Sequence, residues 1–209
     1  MTPTDVIDQI RVLVNDARTP YRNSDTILLK YVNSTLKRIS LLRPELFSVI
    51  AEITPTPNTC LQTLPSNAIR LVSVLGVKDG ASIREIDKRV IDASYPGWMS
   101  ESAGVPTSFM RDRGSINSYF LYPKPITGTV LNVQYTKVPD DYDLTDEITD
   151  LTASFLPVIV DGVVYLVESA DDEHVQSGRA KMFLDSFLTS LGVGGSSQPP
   201  QPQEQPKNG

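Results

Sequence analysis

Apolar side chains recur every three or four positions in the N-terminal part of the chain, a pattern that predicts two amphipathic helices. The first helix is predicted over residues 3–18, with Thr2 as its N-cap and Asp5 in its first turn. The second is predicted to open at Ser24 and to end at Arg43, which precedes a proline. Because only a short polar turn joins them, the two helices are predicted to pack antiparallel.

After the second helix the apolar spacing shortens towards two, which is typical of β-strands. The clearest signal is residues 118–139, where aromatic and β-branched residues fill two arms around Pro123, Pro125 and Gly128. We predict a β-hairpin there. Further strands are predicted over residues 48–54, 59–64, 68–78, 82–86 and 107–112, with a short helix after Asp87.

The second arm of the predicted hairpin alternates between apolar and polar residues. Its apolar positions are Leu131, Val133 and Tyr135, and the polar positions between them are Asn132, Gln134 and Thr136. Successive side chains of a strand point to opposite faces of the sheet. One face is therefore predicted to be buried, and the other to be solvated or to contact a partner.

The C-terminal part returns to helical spacing. Residues 151–170 carry a broad, β-branched apolar face, and a further helix is predicted to end at Gly192. The predicted fold class is α+β, with a four-helix bundle formed by the N- and C-terminal helix pairs and an inserted antiparallel β-rich domain. The predicted segments are residues 1–46 and 141–193 for the bundle, 47–140 for the insertion and 194–209 for an extended tail.

The tail, residues 194–209, is rich in proline, glutamine and glycine and has no large apolar side chain. Such a segment buries too little surface to offset its ordering entropy. We therefore expect it to be disordered in the isolated chain and to become ordered only on a partner.

Composition and charge exclude several classes of protein. A chain of 209 residues with 40% hydrophobic residues can bury a sizeable core. Its net charge of −6 argues against a general nucleic-acid binder. The polar, acidic N-terminus is unlike a signal peptide, and no run approaches the roughly 20 apolar residues of a membrane helix, so we expect no membrane contact.

The inventory of reactive side chains argues against an enzyme. Cys60 and His174 are the single cysteine and histidine, which excludes an internal disulfide and a Cys/His zinc site within one chain. We interpret Cys60 as a small buried hydrophobe and His174 as a solvated or capping residue. There is no phosphate-binding glycine loop and no nucleophile elbow. We predict no catalytic residue and no cofactor.

The acidic run between Asp140 and Asp150 could in principle bind calcium. Its spacing argues against that interpretation, because an EF-hand counted from Asp141 would need glycine and glutamate where Asp146 and Thr152 stand. We predict no metal site, and expect the run to place negative charge at the start of the following helix.

Candidate interface residues fall into four groups: aromatic residues near a Pro-Gly turn, a basic cluster, the polar face of the strand and the tail. Trp98 is predicted to be intermolecular, whereas a solvated role is the alternative for the basic cluster. The candidates are Trp98, Tyr95, Arg111, Arg113, Asn132, Gln134, Thr136, Gln198, Pro199, Pro200 and Gln201.

Several loose motifs occur in an order that resembles a known family. They are YRNSDTILLKYVNSTLKRISLLRPELF, TLPSNAIRL, IDKRVIDASYPGWM, YFLYPKP followed by GTVLNVQYTKVP, and FLTSLGV near the C-terminus. Over about residues 3–193 the chain resembles the head-to-tail adaptors of tailed bacteriophages, and more narrowly the tail-tubular-protein-A-like adaptors of short-tailed phages. None of these motifs is a signature of chemistry.

The resemblance implies a structural role in the virion neck, for a protein made in the host cytoplasm. Such adaptors form a homo-oligomeric ring, usually of twelve copies, under the portal protein, and support the tail nozzle or tube. The bundle would meet the portal, the β-rich insertion would face the tail, and the C-terminal segment would reach into the portal. DNA would pass through the ring without sequence-specific binding. The alternative is a tail-associated ligand- or receptor-binding β module.

Overall fold

The computed structural model describes residues 1–170 and 177–193. These residues form a mixed α+β fold with five α-helices and two β-sheets. The helices are α1 (Pro3–Leu13), α2 (Asp25–Leu42), α3 (Lys88–Ser94), α4 (Leu156–Ala170) and α5 (Ser177–Ser190). The strands are β1 (Ser48–Ile53), β2 (Leu61–Thr63), β3 (Ala68–Val77), β4 (Arg84–Glu85), β5 (Ser108–Arg111), β6 (Ser118–Tyr122) and β7 (Leu131–Lys137).

The two N-terminal helices begin at the predicted caps. Thr2 accepts the N–H of Asp5 at 3.2 Å, and the Asp5 carboxylate accepts the N–H of Thr2 at 2.7 Å, so the pair forms a capping box. Ser24 caps α2 by accepting a backbone N–H of its first turn at 3.3 Å. The first helix is shorter than predicted: it ends at Leu13, because Asn15 has a left-handed φ of 54° that a continuing helix does not contain.

Helix α4 is the centre of the helical layer, where it contacts α1, α2 and α5. Gly162 makes the closest of these approaches possible. A Cβ at this position would lie 2.6 Å from Thr35 Cγ2 on α2 and 2.9 Å from the Phe187 ring on α5. The N- and C-terminal helices thus share one hydrophobic core, while their arrangement as a regular four-helix bundle stays a prediction.

The predicted hairpin over residues 118–139 is wrong, because its two arms belong to different sheets. Strand β6 lies between β2 and β5 in a sheet of order β2-β6-β5-β4, and β7 lies between β1 and β3 in a sheet of order β1-β7-β3. The connection between the arms pairs elsewhere: Gly104 donates to Lys124 O at 2.8 Å, and Ile126 donates to Gly104 O at 3.2 Å. Each arm therefore has both edges occupied by other strands.

The β region is also not wholly antiparallel as predicted. Strand β4 pairs with β5 in parallel, through Arg84 opposite Ser108 and Glu85 opposite Phe109. The reason is topological, since α3 and the loop after it form a crossover between these two strands, and a crossover returns the chain in the same direction. The other strand pairs are antiparallel.

Three hydrophobic clusters form the interior of the described chain. The largest joins α1, α2, α4 and α5 with Phe47, Ile148 and Leu151, the second lies on the inner faces of the two sheets, and the third surrounds Trp98. The division into separately folding domains at the predicted boundaries stays a prediction. Contrary to the expectation from the sequence, the stretch Ala153–Ala170 is long and apolar enough to cross a membrane by length and composition alone. Its buried valines belong to the helical core.

A buried ion pair fixes the turn between α1 and α2. The Arg11 guanidinium is 5% exposed and donates to the Asp16 carboxylate at 3.1 Å and to Asn23 O at 3.0 Å, and it also pairs with Asp25. Burial alone would raise the pKa of Asp16, but N–H donation from Asn23 and Arg22 and the charge of Arg11 outweigh it and hold the pKa below its usual value. The carboxylate is therefore ionised at neutral pH.

Gly162→Ala should lower the free energy of unfolding by about 1–3 kcal/mol, because the added methyl group overlaps Thr35 and Phe187. Chemical denaturation would measure the change. The matched control is Gly178→Ala in α5, where the described residues leave the Cβ position open and the change should be neutral or stabilising by up to about 1 kcal/mol. Equal effects of the two substitutions would contradict the close packing at Gly162.

Asp16→Asn should destabilise the fold by about 3–5 kcal/mol near neutral pH, because it leaves the buried Arg11 without one of its two carboxylates. Since the folded-state pKa of Asp16 is lowered, its contribution is fully present above the usual carboxyl pKa. It is lost as the pH falls below about 4. Urea titrations across this range should show the difference between wild type and variant shrinking at acid pH, and a constant difference would refute the assignment.

Candidate docking surface

The outer face of the three-stranded sheet is an exposed surface of mixed polarity. Asn132 and Gln134 of β7 lie half-buried along its middle, as the alternation predicts. Two apolar side chains flank them, Ile50 of β1 at 62% exposure and Leu75 of β3 at 39%. A shallow groove of about 410 Å³ includes Ile50, Leu75 and Asn132 in its lining. We call Ile50, Leu75, Asn132 and Gln134 the outer sheet surface.

The third polar residue predicted for this face does not belong to it. Thr136 is fully buried, because it lies opposite Ser48 of β1 and Arg70 of β3, at the end of the sheet that meets the helices. Its Oγ1 has no hydrogen-bond partner among the described residues. A partner therefore has no access to Thr136 in this fold, and we do not include it among the docking residues.

One turn closes the groove at the end of β3. Gly76 comes so close to the returning chain that a Cβ there would lie 2.9 Å from Ala81 O. Beside it, Lys78 donates to the Glu52 carboxylate at 2.7 Å, and this hydrogen bond raises the pKa of Lys78. An ion pair thus lies next to the groove in sequence, whereas the residues that line the groove are uncharged.

Arg111, a predicted interface residue, is an internal link between the two sheets. From β5 its guanidinium donates to Leu71 O of β3 at 2.8 Å and also to Val72 O. The same side chain pairs with Glu85 of β4 at 2.7 Å. Arg113 differs, since it is more exposed and forms a single ion pair with Asp87 at 3.0 Å. Together with Arg70 these arginines line a cleft of about 250 Å³.

Of the two aromatic candidates, one is buried and the other is exposed. Trp98 is 1% exposed, donates its Nε1–H to Asp92 at 2.8 Å and packs edge-on against Phe120 and Tyr122. Its burial within its own chain leaves no surface for the predicted intermolecular contact. Tyr95 is 41% exposed and donates its O–H to Glu101 at 2.6 Å, a hydrogen bond that raises the pKa of Tyr95. It remains available to a partner.

Ile50 and Leu75 are the residues that the sequence analysis missed. In the stretch SVIAEI of β1, Ile50 stands in the same phase as Ser48 and Glu52, which is the outward phase of the strand. An apolar residue in the polar phase of an alternating strand is a signal for contact with a partner.

A comparison with family models decides the family. The model described as SU10 adaptor protein matches residues 1–205, which is nearly the whole chain. The chain belongs to this family of adaptor proteins. The match agrees with the resemblance to phage head-to-tail adaptors, and it makes the protein a structural component of a bacteriophage. A search of curated proteins found no match.

The acidic run of the adaptor forms ion pairs that connect its layers. Lys137 of β7 contacts Asp150 at 3.0 Å and Asp140 at 3.4 Å, and Lys37 of α2 contacts Asp141 at 2.6 Å. In residues 1–170 and 177–193 no group of three or more His, Cys, Asp or Glu is placed to hold a metal ion. The run thus attaches the end of the sheet to the helical layer.

Some predicted residues of the adaptor lie outside the described residues. They are His174 and the tail candidates Gln198, Pro199, Pro200 and Gln201. Cys60 is inside them and is buried in the third cluster, where burial raises the pKa of its thiol. This location agrees with the interpretation of Cys60 as a small hydrophobic residue.

Arg111→Lys should lower the free energy of unfolding of the adaptor by about 1–2 kcal/mol. A lysine ammonium cannot donate at once to two carbonyls of β3 and to Glu85, and the half-exposed position limits the loss. Arg113→Lys is the matched control, because a single exposed ion pair should change stability by less than about 0.5 kcal/mol. Denaturant titration would compare them, and indistinguishable midpoints would mean that Arg111 does not link the sheets.

Proposed function

We propose that the adaptor forms a closed ring of identical copies, twelve in number, under the portal protein of a DNA-filled phage head, and joins that head to the tail. The observation that carries the proposal is the exposed apolar pair of the outer sheet surface, Ile50 and Leu75, in a chain of the adaptor family. Apolar side chains on an otherwise polar sheet face are typical of protein contacts. Assembled in the host cytoplasm, the ring would occupy the virion neck.

The two layers suggest a division of the contacts. We propose that the helical layer, arranged as a four-helix bundle, meets the portal and that the two sheets face the nozzle or tube protein of the tail. The resemblance to head-to-tail adaptors supports this polarity. Exposed apolar side chains occur in both layers, Ile50 and Leu75 on the sheet and Val12 and Leu41 on the helices, so each layer offers a surface for one of these partners. Tyr95 and Arg113 are further exposed candidates on this side.

The charge of the chain suits a channel for DNA. Each copy has a net charge of −6, so a ring of copies is strongly acidic. Carboxylates repel phosphates, and a basic lining would bind them and hold the duplex. We propose that DNA passes through the ring without sequence-specific contact.

Mixing the purified adaptor with portal protein of the same phage should give portals that carry a ring-shaped cap in negative-stain electron microscopy. Class averages would give its symmetry. Portals that stay bare, together with specific binding of the adaptor to host glycans, would contradict the adaptor role and favour the receptor-binding alternative. A variant truncated after Val193 tests the tail separately, because the proposed contact of Gln198, Pro199, Pro200 and Gln201 with the portal predicts weaker capping by this variant.

A further inference from the structure

Strand β1 leaves one edge of its sheet open. Among the described residues it pairs with β7 on one side, and no strand lies on the other. The opposite edge of the sheet, on β3, is covered. Val77 of β3 donates to Ala81 O of the returning chain, and Ile83 of the returning chain donates to Leu75 O of β3. Arg111 donates to the carbonyls of Leu71 and Val72. In the described residues the sheet therefore has one covered edge, on β3, and one open edge, on β1.

The edges of the other sheet offer less backbone. Its outer strands, β2 and β4, have three and two residues, against six in β1. The side chain of Gln62 in β2 donates to Thr56 O at 3.0 Å and to Thr59 O at 2.7 Å. These hydrogen bonds hold the segment that precedes β2 against the strand. In the described part of the chain, β1 is the longest strand edge without a partner.

Strand β1 also lacks the features that usually protect an exposed edge. Natural edge strands carry proline, lysine or a bulge, and these prevent the pairing of another chain. The sequence SVIAEI has no proline and no lysine, its pairing with β7 is regular over all six residues, and its one charge, Glu52, is paired with Lys78. Ile50 is 62% exposed. The backbone N–H and C=O groups of such an edge can pair with another strand.

The inward side chains of β1 are less well covered than those of β7. In β7 the inward residues Leu131, Val133 and Tyr135 are buried, whereas the inward residues of β1 are only partly buried although they contact the same cluster. These are Val49, Ala51 and Ile53. A strand beside β1 with apolar residues on the same face would cover them, and its other face would extend the surface of Ile50.

A second copy of the chain does not fit this position. In the described residues its longest open edge is again β1, and pairing of β1 with β1 joins two copies by a two-fold axis. Such a contact closes after two copies and cannot continue around a ring. This step rests on the proposed function, in which the ring forms by repeated head-to-tail contacts.

We infer that β1 receives an extended segment of a different neck protein, which adds to the sheet as a fourth strand. Its backbone hydrogen bonds supply affinity, and its alternate apolar side chains, set against Val49, Ala51 and Ile53, supply specificity. The segment needs about six residues and no proline at the positions that pair with β1.

Hydrogen exchange tests this inference on the free adaptor and on the adaptor in purified phage particles. In the free protein the amides of β1 that face away from β7 have no partner among residues 1–170 and 177–193, and they should exchange rapidly. In particles, peptides that cover Ser48–Ile53 should exchange at least about tenfold more slowly. Peptides of β7, which is paired on both edges, should stay protected in both states and serve as the internal control.

The possible failures are distinguishable. Unchanged exchange of β1 in particles that contain the adaptor overturns the added strand and leaves the adaptor role intact, whereas particles without the adaptor contradict the role itself. Protection that appears in the free protein with a doubling of mass shows pairing of two copies and overturns the inference. So does protection that disappears when the chain is truncated after Val193 although the particles still contain the truncated adaptor, because the strand then comes from the adaptor itself.

A pair of substitutions tests the same edge in another way. Ile50→Lys places a charge on the open edge and should lower the yield of complete particles at least about tenfold while the purified variant keeps its stability. Val90→Lys, at a residue that is 64% exposed on α3, is the matched control and should assemble like wild type. Equal yields for the two variants would count against the strand.

Discussion

The close contact of three helices at Gly162 is the constraint on which the rest of the structure depends. Helix α4 can lie at the centre of the helical layer only because this position has no side chain, so that Thr35 and Phe187 pack directly against its backbone. The sequence separation of these residues is large, and the contact therefore joins the two ends of the chain. Because both ends of the chain are held in one core, the first and last residues of the β region between them have fixed positions.

Polar contacts then attach the sheets to this layer. The side-chain amide of Asn33 on α2 binds both the N–H and the C=O of Tyr142 at 3.0 Å, as a neighbouring strand would. The Tyr142 hydroxyl donates to Asp150 at 2.8 Å, and Asp150 also pairs with Lys137 at the end of β7. Burial alone would lower the pKa of Lys137, but its two carboxylate partners outweigh that effect and raise it. The ammonium group thus stays charged, which keeps the sheet joined to the helices.

A docking surface on such a scaffold is useful because its position is fixed. The outer sheet surface and the open edge of β1 belong to the same sheet, and Arg111 holds that sheet against the other one. A partner that bound Ile50 and paired with β1 would contact side chains and backbone at once. Strand pairing supplies affinity without a deep pocket, so a partner that paired with β1 would need no cleft.

The sequence by itself determined the elements and the buried faces. Local patterns span only a few positions and can be recognised without the fold. Examples are the spacing of apolar residues in α4, the cap residues Thr2 and Ser24 and the alternation in β7. The family resemblance was equally legible from the order of motifs. Sequence also predicted the outward direction of Asn132 and Gln134, and the phase of Ile50 in β1 contains the same kind of information.

Only the tertiary structure decided which strands are neighbours and which candidates are accessible. Strands β6 and β7 follow each other in the chain, yet they pair in different sheets, because pairing depends on free edges far away in sequence. The same cause separates Trp98, Thr136 and Arg111 from the docking surface. Residue type suggested contact for each of them, but burial and hydrogen bonding are properties of the neighbours that folding brings together.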